Sequence, residues 1–236
     1  MQRLLVTALV LACALVGYSL RAAQPNLILF LADDLGYGDL ACFGHPVIKT
    51  PNLDAFAKQG VRLTQCYSAS AVCSPSRSAL LTGRTPHRNG VFTWIAEGAP
   101  VHLRTSEITL PKLLKGAGYA TCHSGKWHLN GLFNNPAQPQ PGDHGYDWWM
   151  ATQNNAGPTH ENPNNFVRNG QPVGRLEGYS APLVVSEAVT WLKEKRDPNE
   201  WTNLAADPAQ RPIIESLRRH LPKEKARAIT PEFSKK

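Results

Sequence analysis

The chain has 236 residues, 42% of them hydrophobic and 18% charged, a balance too apolar for a disordered chain and suited to a globular one. Its formal net charge is +7, but much of the excess lies from Lys193 onward, where Arg211, Arg218, Arg219, Lys223, Lys225 and Arg227 are interspersed with Glu194, Glu215 and Glu224. That alternation reads as a solvated helix face, and without an aromatic–basic stripe or a reader motif beside it no nucleic-acid partner is expected.

In chain order, Arg3 is followed by an almost unbroken apolar run over 4–20 that contains Cys13, and then by the small pair Ala22-Ala23. This predicts a signal peptide over 1–23, cleaved rather than kept as an anchor, although the run approaches spanning length. The expected location is therefore exported, periplasmic or secreted, with no stable membrane insertion after cleavage. Export places Cys42, Cys66, Cys73 and Cys122 where disulfides can form; their spacings fit no zinc pattern and leave the pairing open.

The run Asn26-Leu27-Ile28-Leu29-Phe30-Leu31 predicts a strand buried on both faces, as in a parallel sheet. It stops at Ala32-Asp33-Asp34, and Gly36-Tyr37-Gly38 then forces a turn in which Asp39 reads as a turn residue. A helix is predicted over 51–58, from Pro51 to a stop at Gly60, and a strand over 61–67. A second helix begins around Cys73 to Pro75 and ends by Gly83; a third covers 108–118, and a strand follows over 119–123. This rhythm predicts an α/β fold with a mostly parallel central sheet flanked by helices, with sites at the carboxyl ends of the strands. From 133 to 178 the pattern dissolves into Asn, Pro, Gly and aromatic residues, a structured excursion rather than a plain loop. Helical spacing resumes over 183–195.

Three clusters carry chemistry. Cys73-Ser74-Pro75-Ser76-Arg77 runs on through Ser78-Ala79-Leu80-Leu81-Thr82-Gly83-Arg84. With Pro75 in a first helical turn, a group at position 73 faces the positive end of a helix dipole, and Arg77 can reach back as a fixed cation. Asp33 and Asp34 are adjacent carboxylates that repel unless a cation neutralises them, and oxygen-only ligation suits Ca²⁺ or Mg²⁺. In Gly125-Lys126-Trp127-His128, Lys126 and His128 are two apart, so an extended backbone would put a cation and an imidazole on one face.

Together these residues resemble the formylglycine-dependent sulfatase family of the alkaline-phosphatase-like superfamily. The Cys73 run matches the family signature, Leu31 to Leu40 resembles its first metal-binding segment, and Gly125 to His128 resembles its sulfate-contacting segment. The resemblance implies that a separate maturation enzyme oxidises Cys73 to formylglycine. It implies that Asp33, Asp34 and the modified Cys73 bind Ca²⁺ (or Mg²⁺), that Arg77 and Lys126 stabilise developing charge, and that His128 positions the nucleophile or the proton chain. The implied reaction is hydrolysis of a sulfuric ester on a sulfated small molecule or carbohydrate. The hydrated aldehyde attacks sulfur in line as the alcohol or phenol leaves, and the resulting hemisulfate eliminates sulfate and restores the aldehyde. Relatives in the superfamily that cleave phosphodiesters or phosphonate monoesters with the same modified cysteine are the alternative. His87 and Arg88 lie in a further sulfatase-like stretch and read as structural; His144 and His160 read as fold or substrate-loop residues, and His123 as a strand residue.

The resemblance runs from Asn26 to about Lys195, and Asp197-Pro198-Asn199-Glu200-Trp201-Thr202-Asn203-Leu204-Ala205 resembles the far C-terminal end of bacterial sulfatases. The expected organisation is a partial N-terminal catalytic domain over 24–196 and a remnant of the family's C-terminal tail over 197–236, in a truncated or internally deleted chain. The section expected between them carries further family metal ligands, so an underligated cation and exposed apolar surface belong to the same expectation, and a catalytically inactive sulfatase remnant is a further alternative.

Overall fold

A computed structural model describes residues 25–196; the expected signal peptide, Cys13 and the C-terminal tail lie outside the described residues. Among those residues no helix is long and apolar enough to cross a membrane. The chain divides into a unit ending at Leu63 and a second unit beginning at Thr64.

In the first unit the expected strand at 26–31 is extended backbone without a ladder. Leu27, Ile28, Leu29 and Phe30 are 61–78% exposed. A run of apolar residues becomes a strand only through partner hydrogen bonds, and no described strand pairs with this one. Residues 61–67 likewise form no strand. Short 3-10 turns cover Tyr37–Asp39 and Ala41–Phe43. Asp39 is a turn residue as expected, since its Oδ2 accepts the Gly36 N–H at 2.7 Å. Helix α1, Pro51–Gln59, starts with proline in its first turn. Asp54 fastens it: its Oδ1 accepts from Thr50 Oγ1 at 2.9 Å and from the Cys42 N–H at 2.8 Å.

The second unit holds helix α2, Cys73–Thr82; a one-turn helix α3, Pro86–Asn89; and helix α4, Leu110–Gly116. Gly83 closes α2 in the left-handed region at φ 64°, where its N–H reaches the Ala79 carbonyl. Then come β1, Cys122–Lys126; a 3-10 turn, Pro141–His144; β2, Trp148–Thr152; β3, Val167–Arg168; β4, Gln171–Pro172; and helix α5, Ser180–Arg196. The sheet runs β1-β2-β3-β4. β1 and β2 are parallel, from Cys122 opposite Trp148 to Lys126 opposite Thr152, and β3 and β4 add an antiparallel hairpin.

β1 starts three residues later than the sequence predicts. Tyr119 N–H still closes the end of α4 on Leu114 O at 3.0 Å, and Thr121 is occupied by Asp147 Oδ2 and Gly145 O. The excursion at 133–178 is structured and supplies both β2 and the hairpin. The core of the unit is Leu81, Val91, Ile95, Leu103, Trp127, Leu129, Trp149, Ala151 and Val167. Each large side chain buried here contributes about 2 kcal/mol of transfer free energy.

Helix α5 is bonded to the sheet. Ser124 Oγ donates to Val184 O at 2.7 Å, and Glu187 accepts from Trp148 Nε1 and from Nε and Nη2 of Arg168. Hydrogen bonds from Arg168 hold the Glu187 carboxyl below the usual range. Cys42, Cys66, Cys73 and Cys122 are all free thiols. Burial, with Glu187 nearby, pushes the Cys122 thiol up to about 12, which leaves it an inert packing group.

Candidate active site

Cys73 is the first residue of α2 and is half-buried. The residues after it are fixed from several directions. Ser74 is fully buried and its Oγ accepts the Ile95 N–H at 3.0 Å. Ser78 Oγ donates to Pro75 O at 2.8 Å and accepts from Asn89 Nδ2 at 3.0 Å. Asn89 Oδ1 in turn accepts the Val91 N–H at 3.1 Å. The side chain at position 73 therefore starts a helix whose first turn is anchored to two other segments. The helix N-terminus supplies partial positive charge there.

Arg77 lies four residues further along α2. Its Nη1 donates to the carbonyl of Lys126 at 2.7 Å, which joins α2 to the C-terminal end of β1. At that end the Lys126 ammonium lies 3.4 Å from Cys73 Sγ and 3.5 Å from Asn155 Oδ1. Cys73, Arg77 and Lys126, from segments about fifty residues apart, are thus brought to one place at a strand end.

His128 lies two residues beyond Lys126. The strand stops at Lys126, and His128 takes a left-handed backbone at φ 56°. It is 1% exposed; its N–H donates to Gln153 O at 2.7 Å, and its Nε2 faces Ile95 O at 2.9 Å. A carbonyl only accepts, so Nε2 carries the hydrogen in this contact.

Asp33 and Asp34 sit in the first unit, after the extended stretch, with Asp34 in the left-handed region at φ 55°. Both are exposed and bring carboxylate oxygens within 4.8 Å of one another. Two such oxygens suit a hard divalent cation and offer nothing to a soft one.

The remaining histidines divide by burial. Burial, followed by the charge of Arg77, lowers His123 to about 4. Burial, followed by the charge of Lys112, lowers His144 to about 4. Both rings lie 5.5 Å from Trp127, so at neutral pH they are uncharged packing groups. His160 Nδ1 meets Ser180 Oγ at 2.8 Å, tying the excursion to the start of α5. His87 is exposed beside Phe92, and the Arg88 carbonyl accepts from Arg84 and Arg104. Two site neighbours carried no sequence signal: Asn155, in an Asn-rich stretch without periodicity, and Trp94, whose ring centroid lies 6.3 Å from that of His128.

Residues 25–202 match the sulfatase family model. The chain belongs to the sulfatase family. Human steryl-sulfatase is 50% identical over 114 residues, which cover 46% of this chain and 20% of that protein. N-acetylgalactosamine-6-sulfatase of Sus scrofa is 42% identical over 154 residues, 62% of this chain and 29% of the relative. The solved structure of BT4656 in complex with its substrate D-glucosamine-2-N,6-O-disulfate aligns with a TM-score of 0.59 and 32% identity. That alignment covers 72% of this chain and 31% of that one. This sulfatase chain therefore spans less than a third of the length of each of these proteins. Its α/β fold is part of the alkaline-phosphatase-like architecture of its structural neighbours. Sulfatases generally use a formylglycine and a divalent cation.

Proposed function

We propose that the chain, once Cys73 is oxidised to formylglycine by a maturation enzyme, hydrolyses sulfuric esters of small molecules or carbohydrates after export to the periplasm or the cell exterior. The observation that carries this reading is the Lys126 ammonium 3.4 Å from Cys73 Sγ, with Arg77 Nη1 locking the Lys126 carbonyl. The formylglycine would supply a hydrated aldehyde oxygen as nucleophile, in the position now held by the thiol. Around it the chain's own groups set the electrostatics. The N-terminus of α2 and the Lys126 ammonium favour an anion beside position 73. A sulfate group placed there would meet positive charge already fixed in space, so charge growing in the transition state needs no reorganisation.

Arg77 orients Lys126 through its carbonyl, and His128 holds the Ile95 segment through Nε2. Asp33 and Asp34 would hold Ca²⁺, or Mg²⁺, through carboxylate oxygens, and the bound ion would supply Lewis-acid charge.

Comparing 4-nitrophenyl sulfate with an aryl phosphonate monoester tests the reaction class. A preference for the sulfate is expected, and a preference for the phosphonate would move the chain to the phosphonate- or phosphodiester-cleaving branch of the superfamily.

A further inference from the structure

We propose that Trp94 is the specificity-determining platform of this site, its indole stacking against the pyranose ring of a sulfated saccharide; the proposal rests on the sulfatase reading above. Trp94 is 51% exposed, whereas Trp127, Trp149 and Trp191 are 1%, 6% and 7% exposed. It owes that exposure to a held backbone rather than to a loose loop. The next residue, Ile95, is 2% exposed; its N–H goes to Ser74 Oγ at 3.0 Å, and its carbonyl meets His128 Nε2 at 2.9 Å and Gln153 Nε2 at 3.2 Å. Ser74 adjoins Cys73, so the indole is presented one residue from the segment that fixes the nucleophile position. A rigid, amphipathic ring held this way costs little conformational entropy when a ligand packs on it.

The chemistry beside Lys126 suits a sugar better than an apolar leaving group. Asn155 Oδ1 lies 3.5 Å from the Lys126 ammonium, and Asn165 braces that loop through Asn155 O at 2.9 Å and the Gly157 N–H at 2.8 Å. From Gln153 to Asn165 the loop contains no Leu, Ile, Val, Met, Phe, Tyr or Trp. A steroid or other large apolar group would need apolar walls on that side. A pyranose instead offers hydroxyls to the amides and weakly positive C–H bonds to the negative face of an indole.

The test measures binding of N-acetylgalactosamine 6-sulfate to the full chain by saturation-transfer difference NMR, for wild type, Trp94→Leu and Trp94→Phe. Saturation of the sugar ring protons is expected in wild type, with affinity reduced about tenfold in Trp94→Leu and largely kept in Trp94→Phe. Equal affinity in Trp94→Leu at unchanged circular dichroism, or no sugar binding by wild type, would overturn the proposal. A parallel assay of sulfate release from this sugar and from 4-nitrophenyl sulfate separates the two readings. Release from neither ester sinks the catalytic reading, and the binding series still decides Trp94. Release with a sugar KM unchanged in Trp94→Leu sinks the platform alone.

Discussion

Lys126 is positioned at both ends, its carbonyl by Arg77 and its ammonium beside Cys73. Lys126→Ala is therefore expected to lower kcat on an aryl sulfate by about 10²- to 10³-fold, the range for removing one preorganised stabilising donor. Steady-state kinetics of the matured variant check this. Arg77→Lys should lose about tenfold, because an ammonium lacks the planar fork that reaches the Lys126 carbonyl while projecting other N–H groups. At this scale motif chemistry made Cys73, Arg77, Lys126 and the Asp33-Asp34 pair the candidates, and the structure brings the first three together. The sequence did not reveal that His128 is buried with a left-handed backbone turn. Partners at Gln153 and Ile95, 25 and 33 residues away, decide that turn, and local spacing carries no trace of either.

The first turn of α2 is held by a buried polar network, so stability and site geometry are coupled in one element. Asn89→Ala leaves the Val91 N–H without its carbonyl partner and removes a donor from Ser78 Oγ. About 1–3 kcal/mol of unfolding free energy should be lost, read as a lower urea midpoint.

The core around Trp127 makes a pH prediction. His123 and His144 are lowered from 6.5 to about 4 in the folded state, so below pH 6.5 the unfolded chain binds protons more strongly. Stability is then full above about pH 6.5 and falls as pH drops towards 4, by up to about 3 kcal/mol per histidine. Glu187 acts in the same sense: its carboxyl is depressed, so its contribution is present above its unfolded value and fades as pH falls through the folded one. His144→Asn should flatten urea midpoints measured from pH 7 to pH 4; an unchanged slope would contradict this origin.

Helices α1, α2 and α5 were legible because proline starts, glycine stops and 3.6-residue spacing are local signals. β2 was not. Its five residues lie in a Pro- and Asn-rich stretch, and only the parallel ladder to β1 makes them a strand.

Across the whole molecule, the second unit carries Cys73, Arg77, Lys126 and His128, and the first carries the paired carboxylates. Calorimetric titration with Ca²⁺ should detect binding that Asp33→Asn weakens at least about tenfold, since a hard cation loses one of few anionic oxygens. An unchanged isotherm would remove Asp33 from the cation site.

The exposed run of Leu27, Ile28, Leu29 and Phe30 has no strand partner among the described residues and is an apolar segment of a kind prone to self-association. Light scattering of the purified chain should rise with concentration, and less steeply for Phe30→Ser. The strand expected at this run fails for the reason its residues suggest: two-sided burial needs neighbours, and no described strand supplies them.

We propose that position 73 carries the nucleophile of a sulfuric ester hydrolase. The most direct measurement is sulfate release from 4-nitrophenyl sulfate by chain co-produced with a maturation enzyme, with formylglycine at position 73 quantified by mass spectrometry. Release that rises in proportion to formylglycine content and vanishes in Cys73→Ala is the predicted result. No release from fully converted chain, or release that persists in Cys73→Ala, would contradict it.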